Sequence, residues 1–147
     1  MTSLRTSLRL LTSTLAMSLA MVPVWAEQSA PVPALALELN GAQASDKGCR
    51  LTFVVSNNLG ADLSKAAFEI ALFNKMGVVD RLTVLDFKEL PAGKTKVTRF
   101  DLAGTDCAWV SRVLINSATE CAGTGVEPNA CMRSLKTDTK TGIAFGV

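Results

Sequence analysis

Histidine and tyrosine are both missing from this 147-residue chain. Without His, the usual general base and the commonest metal ligand are gone. Ser-His-Asp and Cys-His nucleophile systems cannot be assembled. No two of the four cysteines stand as Cys-x-x-Cys, so a thioredoxin-like redox centre has nothing to run on. A zinc site would have to take all four, at spacings far from the usual paired knuckles. A glycine-rich phosphate loop is absent too, because Gly123-Thr124-Gly125 lacks the Lys-Ser/Thr ending and the following helix pattern. Carboxylate pairs such as Asp86 and Glu89 have the chemistry of a glycosidase. With thirteen acids spread along the chain, solvated surface charges are the simpler reading. The expectation is a protein that is not an enzyme and needs neither cofactor nor metal.

What is present begins with a leader. Residues 1–26 read as a secretory signal peptide, with Arg5 and Arg9 as a basic start and an apolar run over Leu10–Val22. Val24 and Ala26 then supply small residues before a cut. The run falls short of the ~20 residues that a membrane span needs. The arginines are not adjacent and no Cys lies near the cut, so neither twin-arginine export nor a lipid anchor is expected. The mature chain should start at Glu27, be periplasmic or secreted, and carry no membrane insertion. After Ala26 the count is thirteen Lys/Arg against thirteen Asp/Glu, a formal charge of zero (13 − 13). A neutral domain with scattered charge has no electrostatic footprint for nucleic acid.

About 120 residues remain, the size of one domain. Residues 27–33 read as an extended lead-in, since Pro31 and Pro33 cannot join a regular element. Residues 34–147 read as a single domain. Leu35, Leu37 and Leu39 alternate with polar or small neighbours. Cys49, Leu51, Phe53 and Val55 form a second face, and Phe68, Ile70 and Leu72 a third. Further runs cover Val79–Phe87, Thr95–Leu102 and Cys107–Asn116, with turn residues between them. Leu63–Phe73 has a rival helical composition, but its strict alternation by two favours a strand. The tail, around Met132–Phe145, supplies a last strand.

Cys49, Cys107, Cys121 and Cys131 make an even set in an exported chain, which implies two disulfides with three possible connectivities. In an up-and-down count the second and sixth strands run the same way, so Cys49 and Cys107 open them at one end. That parity favours Cys49–Cys107, and leaves Cys121–Cys131 as a local bridge around a loop with Gly123, Gly125 and Pro128.

Phe68-Glu69-Ile70-Ala71-Leu72-Phe73-Asn74 resembles the Phe-x-x-x-Leu-Tyr-Asp strand and turn of FxLYD-type domains of bacterial envelope proteins, with Phe73 and Asn74 in place of Tyr and Asp. Leu51–Asn58 is similar to that family's strand ending in paired Asn, and Leu90-Pro91-Ala92-Gly93 to its proline-glycine turn. The likeness covers Leu51–Leu102, about half of the mature chain. The whole chain also resembles a group of small secreted bacterial proteins of uncharacterised role. The resemblance implies an immunoglobulin-like sandwich with no catalytic residues. Strand three has no Trp and the chain no Tyr, so the antibody-type core Trp and tyrosine corner are not to be found.

The expected fold is therefore all-β: an immunoglobulin-like antiparallel β-sandwich of about seven strands, disulfide-stapled. Its expected role is a binding or interaction module of the envelope, with another envelope protein as partner. The alternatives are a small-molecule or cofactor carrier with an apolar pocket, and an enzyme using only carboxylates and Lys. Long constrained loops on a rigid sandwich are where binding tends to reside, so Gly123, Gly125 and Glu127 in the loop Ser117–Ala130 are candidate contact residues. Arg112, flanked by apolar residues on the face turned away from the core, is a fourth. Trp109 is expected on the core face against Cys107.

Overall fold

Alternation by two becomes a pair of facing sheets in the computed structural model, which describes residues 31–147. Eight strands form in chain order: β1 (Ala34–Ser45), β2 (Gly48–Asn58), β3 (Leu63–Asn74), β4 (Val79–Leu90), β5 (Thr95–Ala103), β6 (Val110–Ala122), β7 (Leu135–Thr139) and β8 (Ala144–Gly146). One sheet has the order β5-β2-β1-β7 and the other β4-β3-β6-β8. The proposed leader, and the first part of the lead-in, lie outside the described residues. Pro31–Pro33 carry no regular structure.

The core is the sum of the inward-pointing residues that period two selects. Leu35, Leu37 and Leu39 of β1 and Leu51, Phe53 and Val55 of β2 are buried from one side. Phe68, Ile70 and Leu72 of β3, Leu85 and Phe87 of β4, and Val113 and Ile115 of β6 meet them from the other. Phe53 and Phe87 sit at the centre, edge to face at 5.6 Å, each with further ring contacts at 5.0–6.0 Å. That geometry suits the ring quadrupole.

The helical composition of Leu63–Phe73 has a packing cause. β3 is a central strand between β4 and β6, and Ala67 and Ala71 on its outer face are shielded by neighbouring side chains. Small residues fit there whatever their helix propensity, because tertiary context decides.

Two expectations need correction. The sandwich has eight strands rather than about seven, and it is mixed rather than antiparallel, since β7 runs parallel to β1 and β8 parallel to β6. The reason lies in the tail. A one-turn helix, α1 (Ala130–Arg133), is tied through Cys131 to the end of β6, and the Ser134 carbonyl accepts from the Leu35 amide at 2.9 Å. The chain thus leaves α1 beside the start of β1 and has to follow its direction.

Both expected disulfides are present, Cys49–Cys107 and Cys121–Cys131, and no cysteine is free. They close opposite poles: the first at the start of β2, the second at the end of β6. Such bridges persist in oxidising compartments, which marks an extracytoplasmic protein. Among the described residues no helix is long and apolar enough to cross a membrane.

On one flank the edges of β4 and β5 face each other unpaired, and side chains bridge them. Lys96 donates to the Phe87 and Glu89 carbonyls at 3.1 Å each, and Arg81 to the Ala103 carbonyl at 2.9 Å. These charges occupy polar groups that an open edge would otherwise offer to another strand.

Candidate functional site

Each sheet also has an outer face, and the two are chemically unlike. On the β5-β2-β1-β7 sheet, Arg50 of β2 pairs with Asp101 of β5 through two bonds of 2.9 and 3.1 Å. Thr52 stands opposite Arg99 and Ser56 opposite Thr95. Lys140 reaches Glu38 and Asp138 at 3.5 and 2.8 Å. Val54 and Val97 are the apolar pair among these charges.

The β4-β3-β6 face reads differently over the half nearest the Cys49–Cys107 pole. Directly opposite residues share a face, so Leu82 and Leu114 flank Ala71, while Val79 and Arg112 flank Phe73. Leu82 and Val84 of β4 are 57% and 51% exposed, yet Ala71, directly opposite Leu82, is only 4% exposed, and Val84 stands opposite Glu69 at the strip's end. The result is an apolar strip with a buried floor. Towards the other pole it ends in polar pairs: Asn116 with Glu69, and Lys65 with Glu120 at 2.7 Å.

Arg112 lies at the margin of this strip. Its guanidinium stacks over the Phe73 ring, 5.6 Å from the centroid, and Nη2 reaches the Val147 carbonyl at 3.5 Å. Exposure on one side and an aromatic on the other fit a cation–π contact. Leu114 shares its face as expected, but Val110 does not. A bulge where β3 passes from Phe73 to Asn74 turns Val110 into the core.

Gly123, Gly125 and Glu127 are brought together at the opposite pole, far along β6 from Arg112. The loop is shorter than expected, because β6 continues to pair with β3, through two bulges, as far as Ala122, which stands opposite Lys65. Gly123 packs against the Asp62 carbonyl so closely that a Cβ would collide with it. Gly125 adopts a φ of +72°, which only glycine takes at no steric cost. Both glycines are explained by the path of the chain. Glu127 is exposed, and its carbonyl accepts from the Ala130 amide at 2.9 Å to start α1.

Trp109 is 48% exposed, not on the core face. Asp106 accepts from the Ala108 amide at 2.9 Å and caps a 3-10 turn over Cys107–Trp109. Strand alternation therefore starts at Val110 rather than Cys107, and parity counted from the cysteine points the indole the wrong way.

The motif residues that carry the family resemblance work as turn-builders. Asn57 is fully buried: its side chain donates to the Ala61 and Leu90 carbonyls at 2.9 and 2.7 Å and accepts from the Leu59 amide. Asn74 accepts from the Met76 and Val78 amides at 3.0 and 3.1 Å, closing the β3–β4 hairpin. Where neighbours displace a pKa among the described residues, they favour the charged form. Hydrogen bonds from Lys88 and Arg50 hold Asp86 and Asp101 below the ordinary carboxylate value, and the bond to Glu120 raises Lys65. A general acid or base at neutral pH needs the opposite displacement.

The strip of Leu82, Val84 and Leu114 was not among the sequence candidates. Its signal is the run Leu82-Thr83-Val84-Leu85-Asp86-Phe87, where both parities carry apolar residues. No group of three metal-binding side chains occurs among the described residues. Comparison with protein-family models, with curated proteins and with solved structures finds no match to this chain.

Proposed function

We propose that this protein is a non-enzymatic binding module of the bacterial envelope, periplasmic in its mature form, and that it holds another envelope protein on the outer face of β4-β3-β6. The observation that carries this reading is the contrast between the two outer faces. One carries ion pairs and polar residues around a single apolar pair, Val54 and Val97, with Val97 59% exposed. The other leaves Leu82, Val84 and Val79 in solvent beside buried Ala71. Exposed contiguous apolar surface with a polar margin marks interaction sites. Arg112, stacked on Phe73 at its edge, adds the kind of residue that anchors interfaces.

The sandwich is assigned to the immunoglobulin-like group and, through Asn57, Asn74 and the Pro91–Gly93 turn, to the FxLYD type. Support comes from β1, β2 and β5 sharing one sheet while β4, β3 and β6 share the other. A disulfide linking the starts of β2 and β6 is in keeping with it. The carrier alternative draws less support, since the space between the sheets is filled by the phenylalanine cluster around Phe53 and Phe87.

Leu82→Lys combined with Val84→Lys tests the docking face. Both sites are solvent-exposed, so stability should change by no more than about 0.5 kcal/mol each, while partner recovery from periplasmic extract falls at least tenfold. Equal recovery with an unchanged melting curve would move the contact surface elsewhere.

A further inference from the structure

At the Cys49–Cys107 pole two turns lie side by side. One is the β3–β4 hairpin closed by Asn74, the other the Gly104-Thr105-Asp106 turn that leads into Cys107–Trp109. Between them is a hollow of about 250 Å³ whose walls include Leu72, Asp80, Thr105, Asp106, Trp109 and Val110. It adjoins the Leu82–Val84 strip at Phe73, which lines it, and shares no residue with the Cys121–Cys131 loop.

Its chemistry is specific. Trp109 stands half-exposed at the hollow. Asp106 is fixed by its cap to the Ala108 amide at Oδ1, which leaves its other oxygen without a partner in the protein. Asp80 is the extra residue at the bulge where Leu72 pairs with Arg81 and Phe73 with Val79. Neither carboxylate has a cationic partner among the described residues. The neighbouring Arg81 is engaged by the Ala103 carbonyl across the sandwich and does not line the hollow. Thr105 is 6% exposed and belongs to the wall, and its unpartnered hydroxyl oxygen is shielded from solvent.

We propose that this hollow binds an organic cation, an ammonium or guanidinium group held over the Trp109 indole between Asp80 and Asp106. An indole face attracts a cation through its quadrupole, and two unpaired carboxylates supply the countercharge. A calcium ion would ask for about six to eight oxygens, and among the described residues no third metal-binding side chain joins the two carboxylates. The group could come from a basic side chain of a polypeptide or from a free polyamine, and the chemistry required is the same. The site stands independently of the docking face, because small probes alone test it.

The readout is the Trp109 indole N–H signal in a ¹H–¹⁵N spectrum of the secreted protein, identified by its loss in Trp109→Phe. The probes are N-acetyl-lysinamide, N-acetyl-argininamide, spermidine and the neutral N-acetyl-norleucinamide. The cationic probes should move the signal saturably, with Kd on the order of millimolar, and the neutral one should not. Preference for the amino-acid amides assigns the site to a basic side chain, and preference for spermidine to a free polyamine. Asp80→Asn and Asp106→Asn should each weaken binding about threefold to fivefold. The second keeps the side-chain oxygen that accepts from Ala108, so the turn survives. An equal response to the neutral probe, no response to any probe, or affinities untouched by both substitutions would overturn the proposal.

Discussion

Asp101 is held to Arg50 across β2 and β5 by two hydrogen bonds, and this pair gives the most direct pH prediction at the scale of the residue. Its carboxyl lies below the ordinary value chiefly because of those bonds; burial opposes the shift, and the Ser45 hydroxyl adds to it. A carboxyl lowered by folding stabilises the native state above its unfolded pKa of about 3.9, and that contribution is lost as pH falls through the folded value. Melting temperature should therefore drop more steeply on acidification in the wild type than in Asp101→Asn. The gap between the two curves at pH 7 should narrow as pH falls below the unfolded value and close once the folded carboxyl is protonated. Parallel curves over that range would mean that the pair contributes nothing. Legibility at this scale was uneven. Core leucines and phenylalanines were readable because alternation in a strand leaves no choice of face. Trp109 was not, since one capped turn before β6 shifts the phase. Gly123 and Gly125 were visible as special positions, but whether a glycine serves a ligand or the backbone is settled only by what lies beside it.

Among the elements, the two disulfides do different work. Cys49–Cys107 spans 58 residues and its first sulfur lies wholly in the core; Cys121–Cys131 spans 10 and ties α1 to β6. In the chain-entropy account the long loop is worth about 4 kcal/mol and the short one a little under 3. Replacing Cys49 and Cys107 by Ala should thus destabilise more than replacing Cys121 and Cys131, and paired thermal melts read the difference. Equal losses would mean that the tail packed by α1, β7 and β8 is as central to the fold as the β2–β6 staple. Strands β1 to β5 were readable because turn residues punctuate them. The parallel β7 and β8 were not, because their direction is set by a distant contact between Ser134 and Leu35 rather than by any local pattern. The end of β6 was misjudged for a related reason. Ser117–Ala122 is poor in apolar residues, and only its pairing with β3 makes it a strand.

At the scale of the whole molecule, one outer face carries ion pairs around the single apolar pair Val54 and Val97 and the other a longer apolar strip, and the account of function rests on that asymmetry. The extracytoplasmic setting was legible in the cysteines, and the lack of His-based chemistry in the composition. The strip stayed hidden because which residues share an outer face depends on the register of three strands at once. A photo-crosslinking residue placed at Val84 in intact cells tests the central claim, with Thr52 on the opposite outer face as the control position. The account predicts a discrete adduct with an envelope protein from Val84, none from Thr52, and loss of the adduct when Leu82→Lys is added. Adducts of equal yield from both positions, or an adduct from Thr52 alone, would contradict it, and a Val84 adduct consisting of two copies of this chain would replace the envelope partner with self-association.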